Sequence, residues 1–178
     1  MATTVVLPSL ARCEQTDDEL IVPGKRIGEW RLGANAQNPE PTLALPDWSI
    51  YIRFKHRPGV RARLRPTTIA VHKVSNRSLG VEPADGFTVD LIYVDGGAYH
   101  TANGYTIYSD QELGRLYPQA TPSSENPKIY DDKKQGIAFE FGADAFAKSC
   151  VGIMVHLPGK PAFATLDQVM EFRKKAGY

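Results

Sequence analysis

Residues 87–95, FTVDLIYVD, form a nearly continuous apolar run that is rich in β-branched and aromatic side chains. A run of this length and composition is typical of a β-strand. It lacks the apolar–polar alternation of a half-buried strand, which indicates a strand that is buried on both faces. We therefore expect these residues to lie in the middle of a sheet.

The segments on either side of this run predict further strands joined by tight turns. From Trp48 to Val74 the pattern is strand, turn, strand, turn, strand. Residues 128–142 predict a hairpin, and residues 148–159 predict another strand that ends at a Pro-Gly turn. Residues 34–47 differ, because their three prolines predict a loop or at most a single helical turn.

Two later segments show the spacing of short helices. Capping boxes, SDQE at 109–112 and TLDQ at 165–168, open helices predicted over about residues 110–117 and 166–176. The side chains of the second helix that are expected to face inward are Val169, Met170 and Phe172. Together with the strands, these helices predict an α+β protein whose antiparallel sheet has about eight or nine strands.

A chain of 178 residues is long enough for one domain that folds without metal or disulfide support. We expect a single domain over residues 1–178, with an N-terminal arm over residues 1–19 that ends in an acidic cluster. The tripeptide Pro-Gly-Lys occurs twice in the chain. This weak recurrence leaves open two degenerate repeats, with halves at residues 20–80 and 81–178.

The strongest charge feature is the stretch YIRFKHRPGVRARLR at residues 51–65, which holds six arginines and lysines, one histidine and no acid. The formal net charge of the chain is only +1, so acidic residues elsewhere balance this region. Apolar and basic side chains alternate here, which predicts a hairpin with one apolar face and one basic face. The basic face would carry one outward aromatic residue, Tyr51, and five basic residues: Arg53, Lys55, Arg61, Arg63 and Arg65.

The length of the hairpin loop decides whether these two faces stay pure. A three-residue loop at residues 57–59 keeps them pure, whereas a two-residue turn would mix apolar and basic side chains. We therefore predict the three-residue loop, in which the opposing pairs are Lys55 with Arg61, Arg53 with Arg63, and Tyr51 with Arg65. Like charges that lie opposite each other on a sheet are destabilising, so something should offset them.

Three explanations of the basic face remain open. The face is solvated or covered by the acidic arm at residues 14–19, or it binds a protein partner such as a second copy of the chain, or it binds a polyanion. Nucleic acid is disfavoured among the polyanions because Tyr51 alone would supply an outward aromatic ring. The isoelectric point of about 7.8 is also lower than that of most nucleic-acid-binding domains.

No sequence motif defines a reaction, a cofactor or a metal site. The four histidines fit no metal-binding spacing, and the glycine-rich motifs that bind phosphate are missing. The weak candidates for acid–base chemistry are Asp90, His100 and His156. For Asp90, the simpler expectation is a pair with an arginine of the basic strands. For His156, it is a structural role at a surface or half-buried position.

Cys13 and Cys150 are the two cysteines, and their spacing argues against a zinc site or a redox-active pair. They either form one disulfide, which would need an oxidising compartment, or are two unrelated thiols. No apolar run reaches the roughly 20 residues that span a bilayer. The first residues lack the basic start of a signal peptide, but removal of such a signal would leave a similar sequence.

A family resemblance rests on IVPGKRIGEWRLG at residues 21–33 and on IYSDQELGRLYP followed by KQGIAFEF and VGIMVHLPG. These stretches resemble small secreted or periplasmic bacterial domains without an assigned activity. The resemblance implies a helix packed on a small antiparallel sheet, as in the β-lactamase-inhibitor-protein and outer-membrane-assembly-lipoprotein architecture. The chain departs from that pattern at residues 39–46, where prolines replace the expected helix, and no functional residue carries over.

The expected function is therefore binding without catalysis or a cofactor. We expect a bacterial protein, periplasmic or extracellular, that takes a protein, a second copy of itself or a polyanion on the basic face. The alternative is a small cofactor-free enzyme with an acid–base pair in a sheet-lined pocket, and a cytoplasmic location stays open. A deep apolar cavity with a convergent polar pair would favour the enzyme, whereas a convex basic sheet would favour binding.

Overall fold

In the computed structural model of the protein, the described residues are 18–34, 40–54, 66–96, 99–107, 113–142 and 149–178. Their strands are β1 (Leu20–Val22), β2 (Arg26–Ile27), β3 (Trp30–Arg31), β4 (Gly33–Ala34), β5 (Leu43–Ala44), β6 (Trp48–Arg53), β7 (Thr67–Ser75), β8 (Phe87–Val94), β9 (His100–Thr101), β10 (Thr121–Pro122), β11 (Ile129–Asp132), β12 (Ile137–Phe141) and β13 (Cys150–His156). Their helices are α1 (Asn76–Leu79), α2 (Leu113–Leu116) and α3 (Leu166–Lys175).

Nine of these strands form one large antiparallel sheet. Eight follow the order β10-β11-β12-β13-β8-β7-β6-β5, and β4 pairs with the first part of β8, beyond the point where β13 ends. The second half of β8, from Leu91 to Val94, is fully buried between its neighbours. The α+β class and the central strand are therefore confirmed, but the predicted burial on both faces fails for the first half of β8, where Phe87 is 41% exposed.

A second, four-stranded sheet has the order β3-β2-β1-β9. Its β1–β9 pair is parallel, with Leu20 opposite His100, whereas its other pairs are antiparallel. Parallel pairing is possible here because β1 and β9 lie far apart in the sequence and need no tight turn between them. The predicted antiparallel arrangement thus holds for the large sheet and fails for one pair of the small sheet.

The large sheet carries an apolar cluster on each face. One face packs against the small sheet and the loop aromatics, and its buried residues include Ile21, Trp30, Tyr51, Ile92, Tyr105 and Phe139. The other face packs under α3 and the segment before it, and its buried residues include Trp48, Leu91, Tyr93, Met154, Ala164 and Phe172. The fold is therefore a three-layer arrangement, which explains why β8 needs apolar side chains on both faces.

The pairing predicted for the basic hairpin is wrong where the structure describes it. β6 pairs directly with β7, so two strands are described between Trp48 and Val74 instead of three. The observed partners are Thr67 for Arg53 and Ile69 for Tyr51, not the arginines expected from the sequence. The sheet is covered on both faces, and β7 contributes apolar side chains to both of them. The alternation in the arginine-rich stretch would supply apolar side chains to one face alone.

The faces of β6 also differ from the prediction. Tyr51, which the alternation places on the outer face, is 5% exposed and packs on Trp30 with the ring centroids 5.4 Å apart. Phe54, which it places on the inner face, is 54% exposed. The small sheet covers one face of β6, and the inner cluster ends before Phe54, so alternation does not report exposure in this strand.

The helix predicted over about residues 166–176 is present as α3. Thr165 caps it through a hydrogen bond to the Gln168 amide at 3.3 Å, as the capping box predicts. Met170 is only half-buried instead of facing inward. The buried side chains of α3 are Val169, Phe172 and Arg173.

The two other helices are short. α2 lies within the helix predicted over about residues 110–117, and its predicted capping box at 109–112 lies outside the described residues. α1 was absent from the sequence-based prediction because a single helical turn is too short to show a helical period. The proline-rich stretch 34–47 holds β5, a short edge strand, where a loop or helical turn is predicted; proline is tolerated at such edges.

Candidate functional site

Arg53 is the member of the predicted basic face that the structure describes. Its guanidinium donates to the Glu29 carboxylate at 2.7 Å and lies 5.5 Å from the centre of the Trp30 ring. The two side chains of the ion pair are 43% and 49% exposed, so water screens their attraction. Outside the described residues lie Lys55, Arg61, Arg63 and Arg65.

The end of the acidic arm lies beside Arg53, as one of the three explanations of the basic face expects. A cavity of about 210 Å³ is lined by Asp18, Glu19, Glu29, Trp30, Arg53, Phe54 and Tyr99. The carboxylates in this lining reduce the positive potential around Arg53. The charge of this one arginine is therefore partly compensated within the chain.

Two exposed aromatic rings lie at the same end of β6. Phe54 follows Arg53 in the chain, and its ring lies 5.8 Å from that of Tyr178. The two side chains are 54% and 55% exposed. Phe54 and Tyr178, and not Tyr51 as predicted, are therefore the exposed aromatic residues next to Arg53. Sequence reasoning misses this pair because Tyr178 is distant in the chain and only the docking of α3 brings it to Phe54.

Asp90 pairs with a histidine, so the expected pair with an arginine of the basic strands is wrong. Its Oδ1 lies 2.5 Å from His72 Nδ1. The side chain of Asp90 is 25% exposed and that of His72 is 19% exposed. Because an ionised carboxylate can only accept a hydrogen bond, Nδ1 carries the hydrogen and donates the bond to Asp90.

A β-bulge brings Asp90 and His72 together. His72 lies opposite Leu91, while the next residue, Lys73, lies opposite Val89, so Asp90 is the extra residue in β8. A bulge re-aims the side chain of the extra residue and strengthens the local twist. Regular alternation places Asp90 on the face opposite to Leu91, which is why sequence reasoning does not find His72 as its partner.

Aromatic rings surround His72. The rings of Trp48 and Phe163 each lie 4.9 Å from the imidazole in edge-on arrangements. Trp48 is buried, whereas Phe163 is 40% exposed. The His72 side chain is 19% exposed, and within the described residues its ring is hydrogen-bonded through Nδ1 and not through Nε2.

His156 is completely buried, so the expected surface or half-buried position is wrong. Its Nε2 lies 3.0 Å from Asp131 Oδ1, and its Nδ1 lies 3.1 Å from the Leu157 carbonyl oxygen. The other Asp131 oxygen accepts from the Ala162 amide at 3.2 Å. This pair ties three segments together and has no room for a substrate, so its role is structural.

His100, the third candidate, lies in β9 of the small sheet and is half-buried. Its amide donates to the Glu19 carbonyl oxygen at 3.0 Å. Asp90 and His156 belong to the large sheet instead. The structure therefore places His100 in a different sheet from the other two candidates. The partner of Asp90 is His72, which the sequence does not single out.

Another buried acid lies beneath α3. Tyr93 donates its hydroxyl proton to Glu140 Oε2 at 2.9 Å, and the Leu166 amide donates to the same oxygen at 2.7 Å. Burial is the main cause that raises the pKa of both the Glu140 carboxyl and the Tyr93 hydroxyl. This contact joins the two central strands to the start of the helix, which is a structural role.

Cys150 is fully buried in β13, and its Sγ lies 3.2 Å from the Gly152 carbonyl oxygen. Burial raises the pKa of the thiol to about 12. Cys13 lies outside the described residues, so the disulfide between them stays a prediction.

We expect Cys150 to resist thiol reagents in the native protein, because a raised pKa leaves no thiolate at pH 8 and burial excludes the reagent. The measurement uses a Cys13→Ser variant, in which Cys150 is the remaining thiol, and Ellman's reagent at pH 8 with and without denaturant. One thiol should react after unfolding and none before it. Rapid reaction in the native state would show that β13 is accessible and the expectation wrong.

A larger cavity lies next to α2 and the β11–β12 hairpin. Its volume is about 480 Å³, and its lining consists of Leu113, Gly114, Ala120, Pro127, Lys128, Tyr130, Phe141 and Gly142. Lys128 is the one charged residue among the described residues of this lining. Its described lining is mostly apolar and contains no convergent polar pair, so these residues do not meet the criterion for an acid–base enzyme site.

In comparisons with known proteins, no protein-family model, no curated protein and no solved structure matches this chain. The resemblance to secreted bacterial domains therefore stays a prediction. Within the described ranges, no helix is long and apolar enough to cross a membrane. The same residues contain no group of three or more histidine, cysteine or acidic side chains placed to hold a metal ion.

Proposed function

We propose that the protein binds an acidic protein partner on a surface at the end of β6, and that no catalysis takes place at this surface. Arg53, Phe54 and Tyr178 form the described part of this basic–aromatic surface. The observation that carries the proposal is the pair of rings, each more than half exposed, beside an exposed arginine. Aromatic residues and arginine are enriched in protein interfaces and dominate their binding energy.

The charge pattern supports an acidic partner. Residues 55–65 follow Phe54 directly and contain five arginines and lysines with no acid. The carboxylates around Arg53 come from the arm and from Glu29, and they compensate part of this charge only. A partner that presents carboxylates would be steered to the surface electrostatically, and its apolar side chains would cover the two rings.

The basic–aromatic surface is expected to bind poly-glutamate with an affinity that falls steeply with salt. We would titrate fluorescent poly-glutamate, heparin and a labelled oligonucleotide from about 50 to about 300 mM salt, since counterion release makes salt dependence diagnostic of such contacts. An Arg61→Glu/Arg63→Glu variant should lose binding, because two positive charges become negative. A Phe54→Ala/Tyr178→Ala variant should weaken binding with little change in the salt slope.

A Lys133→Glu/Lys134→Glu variant is the matched control. It makes the same charge change in the exposed turn between β11 and β12, so it should leave the affinity nearly unchanged. Equal loss in both charge variants would mean that net charge alone drives binding, which contradicts a site. Preference for heparin or the oligonucleotide over poly-glutamate would replace the protein partner by a polyanion. No binding at the lowest salt would reject the surface as an acidic-ligand site.

We also propose, from the resemblance, that the protein is bacterial and periplasmic or extracellular. The same resemblance suggests that its two halves are degenerate repeats. The two Pro-Gly-Lys turns meet in space, since Gly24 donates to the Gly136 carbonyl oxygen and Gly159 donates to that of Lys133. Both turns thus bind the same β11–β12 turn. This shared contact gives the recurrence of the tripeptide a structural reason even without a repeat.

A further inference from the structure

The large sheet holds two histidine–aspartate pairs on the same face, and they differ in one decisive respect. His72 and His156 both lie opposite Leu91, from the two strands that flank β8. In the His156–Asp131 pair, both ring nitrogens have partners and both side chains are sealed from water. In the His72–Asp90 pair, one ring nitrogen is bonded and both side chains reach the surface.

The open pair has the arrangement of a base with a positioning residue. Asp90 accepts a hydrogen bond from Nδ1–H, so the neutral imidazole carries its lone pair on Nε2, which has no hydrogen bond within the described residues and belongs to a side chain that is 19% exposed. The carboxylate also offsets the positive charge that develops when Nε2 takes up a proton. The β-bulge that produces this contact is a device found repeatedly next to active sites.

The surroundings of His72 indicate the kind of molecule that would bind. Phe163 offers a ring that is 40% exposed and lies 4.9 Å from the imidazole, and Trp48 closes the other side. Exposed aromatic rings bind other planar apolar groups by stacking or edge-on contact. A substrate with a small aromatic group next to its reacting bond would therefore place that bond close to the imidazole.

We propose that His72 is a general base that hydrolyses small aryl esters, with Asp90 as its positioning residue. A water molecule transfers a proton to Nε2 while its oxygen forms a bond to the ester carbonyl carbon. The tetrahedral intermediate then breaks its bond to the phenolic oxygen, and the proton on Nε2 moves to that oxygen. Ester and water become acid and phenol, and His72 returns to its neutral form.

Hydrolysis of 4-nitrophenyl acetate and phenyl acetate by the purified protein tests this proposal. The protein should exceed an equal concentration of free imidazole, and His72→Gln should lower kcat/KM by about 100-fold, as is typical when a general base is lost. Asp90→Asn keeps an acceptor for Nδ1 but removes the charge, so kcat should fall about tenfold while KM stays constant. Phe163→Ala should mainly raise KM.

His100→Gln is the matched control, because it removes a half-buried histidine of the small sheet and should leave the rate unchanged. A second measurement covers the case in which His72→Gln does not fold. Diethyl pyrocarbonate should modify His72 in the native protein, with loss of activity in parallel, and should spare the buried His156. Mass spectrometry of the modified peptides reports both.

Three results would each overturn the proposal: a rate no higher than that of imidazole, full activity in His72→Gln, or modification of His72 without loss of activity. The test is independent of binding at the basic–aromatic surface. Arg61→Glu/Arg63→Glu should keep the esterase activity, and His72→Gln should keep the affinity for poly-glutamate. Failure of one proposal is therefore distinguishable from failure of the other.

Discussion

Replacing Arg173 by alanine is expected to lower the free energy of unfolding by about 3–5 kcal/mol, because it breaks a buried ion pair and leaves the Asp95 carboxylate buried without its countercharge. The Arg173 guanidinium donates to Asp95 Oδ2 at 2.6 Å, to the Pro66 carbonyl oxygen at 3.0 Å and to the Thr68 hydroxyl. The two charged side chains are 6% and 4% exposed, so water cannot replace these contacts. The network joins α3 to β7 and to the end of β8.

Urea unfolding followed by circular dichroism measures this change. Lys174→Ala is the matched control, because its ion pair with Glu171 has side chains that are 67% and 60% exposed and is screened by water, so its loss should hardly change the stability. An Arg173→Leu/Asp95→Leu double variant should be less destabilised than the sum of the two single changes, since it removes both charges of the buried ion pair together. An Arg173→Ala variant as stable as the control would show that the network contributes little.

The same substitution should also weaken the proposed binding site. The Tyr178 amide donates to the Arg173 carbonyl oxygen at 3.1 Å, so the end of α3 positions the Tyr178 ring against Phe54. If α3 loosens, the aromatic pair separates. Poly-glutamate affinity of Arg173→Ala at a temperature where the variant is still folded measures this link.

Replacing Gly152 by alanine is expected to cost about 3 kcal/mol, through overpacking of the core and loss of a hydrogen bond. A Cβ on Gly152 would overlap the Tyr93 hydroxyl and lie 2.8 Å from Cε2 of its ring. Tyr93 is fully buried and donates to Glu140, so its ring cannot swing away without breaking that bond. The absence of a side chain at Gly152 is therefore what lets the tyrosine hydroxyl cross β13.

Gly114→Ala is the matched control for this substitution. A Cβ on Gly114 has nothing within 4 Å, and the residue lies in α2, where alanine is favoured over glycine by about 0.5–1 kcal/mol. Thermal unfolding of both variants should show a large decrease in melting temperature for Gly152→Ala and none for Gly114→Ala. A Gly152→Ala variant as stable as the wild type would mean that Tyr93 moves at little cost.

The parts of the fold that could be predicted carry local signals. Each of these parts can be recognised within one segment, because strand and helix periods and caps are properties of neighbouring residues. They are the apolar run at 87–95, the hairpin at 128–142 and the capped helix before Ala176. The candidate site was less predictable. Asp90 stands out as a carboxyl group in an apolar run, but its partner His72 does not, since one inserted residue in the β8 pairing changes the face to which Asp90 turns.

The amino-acid sequence by itself determined the fold class, the central strand and the concentration of positive charge at residues 51–65, because these depend on composition and short-range period. The tertiary structure alone decided which strand pairs with β6, which aromatic rings are exposed and which acid meets which base. Tyr51 is buried because the small sheet covers it. Arg173 can be buried because it meets Asp95, which lies 78 residues earlier in the chain and supplies its countercharge. Such contacts depend on residues far apart in the chain, and a local pattern contains no information about them.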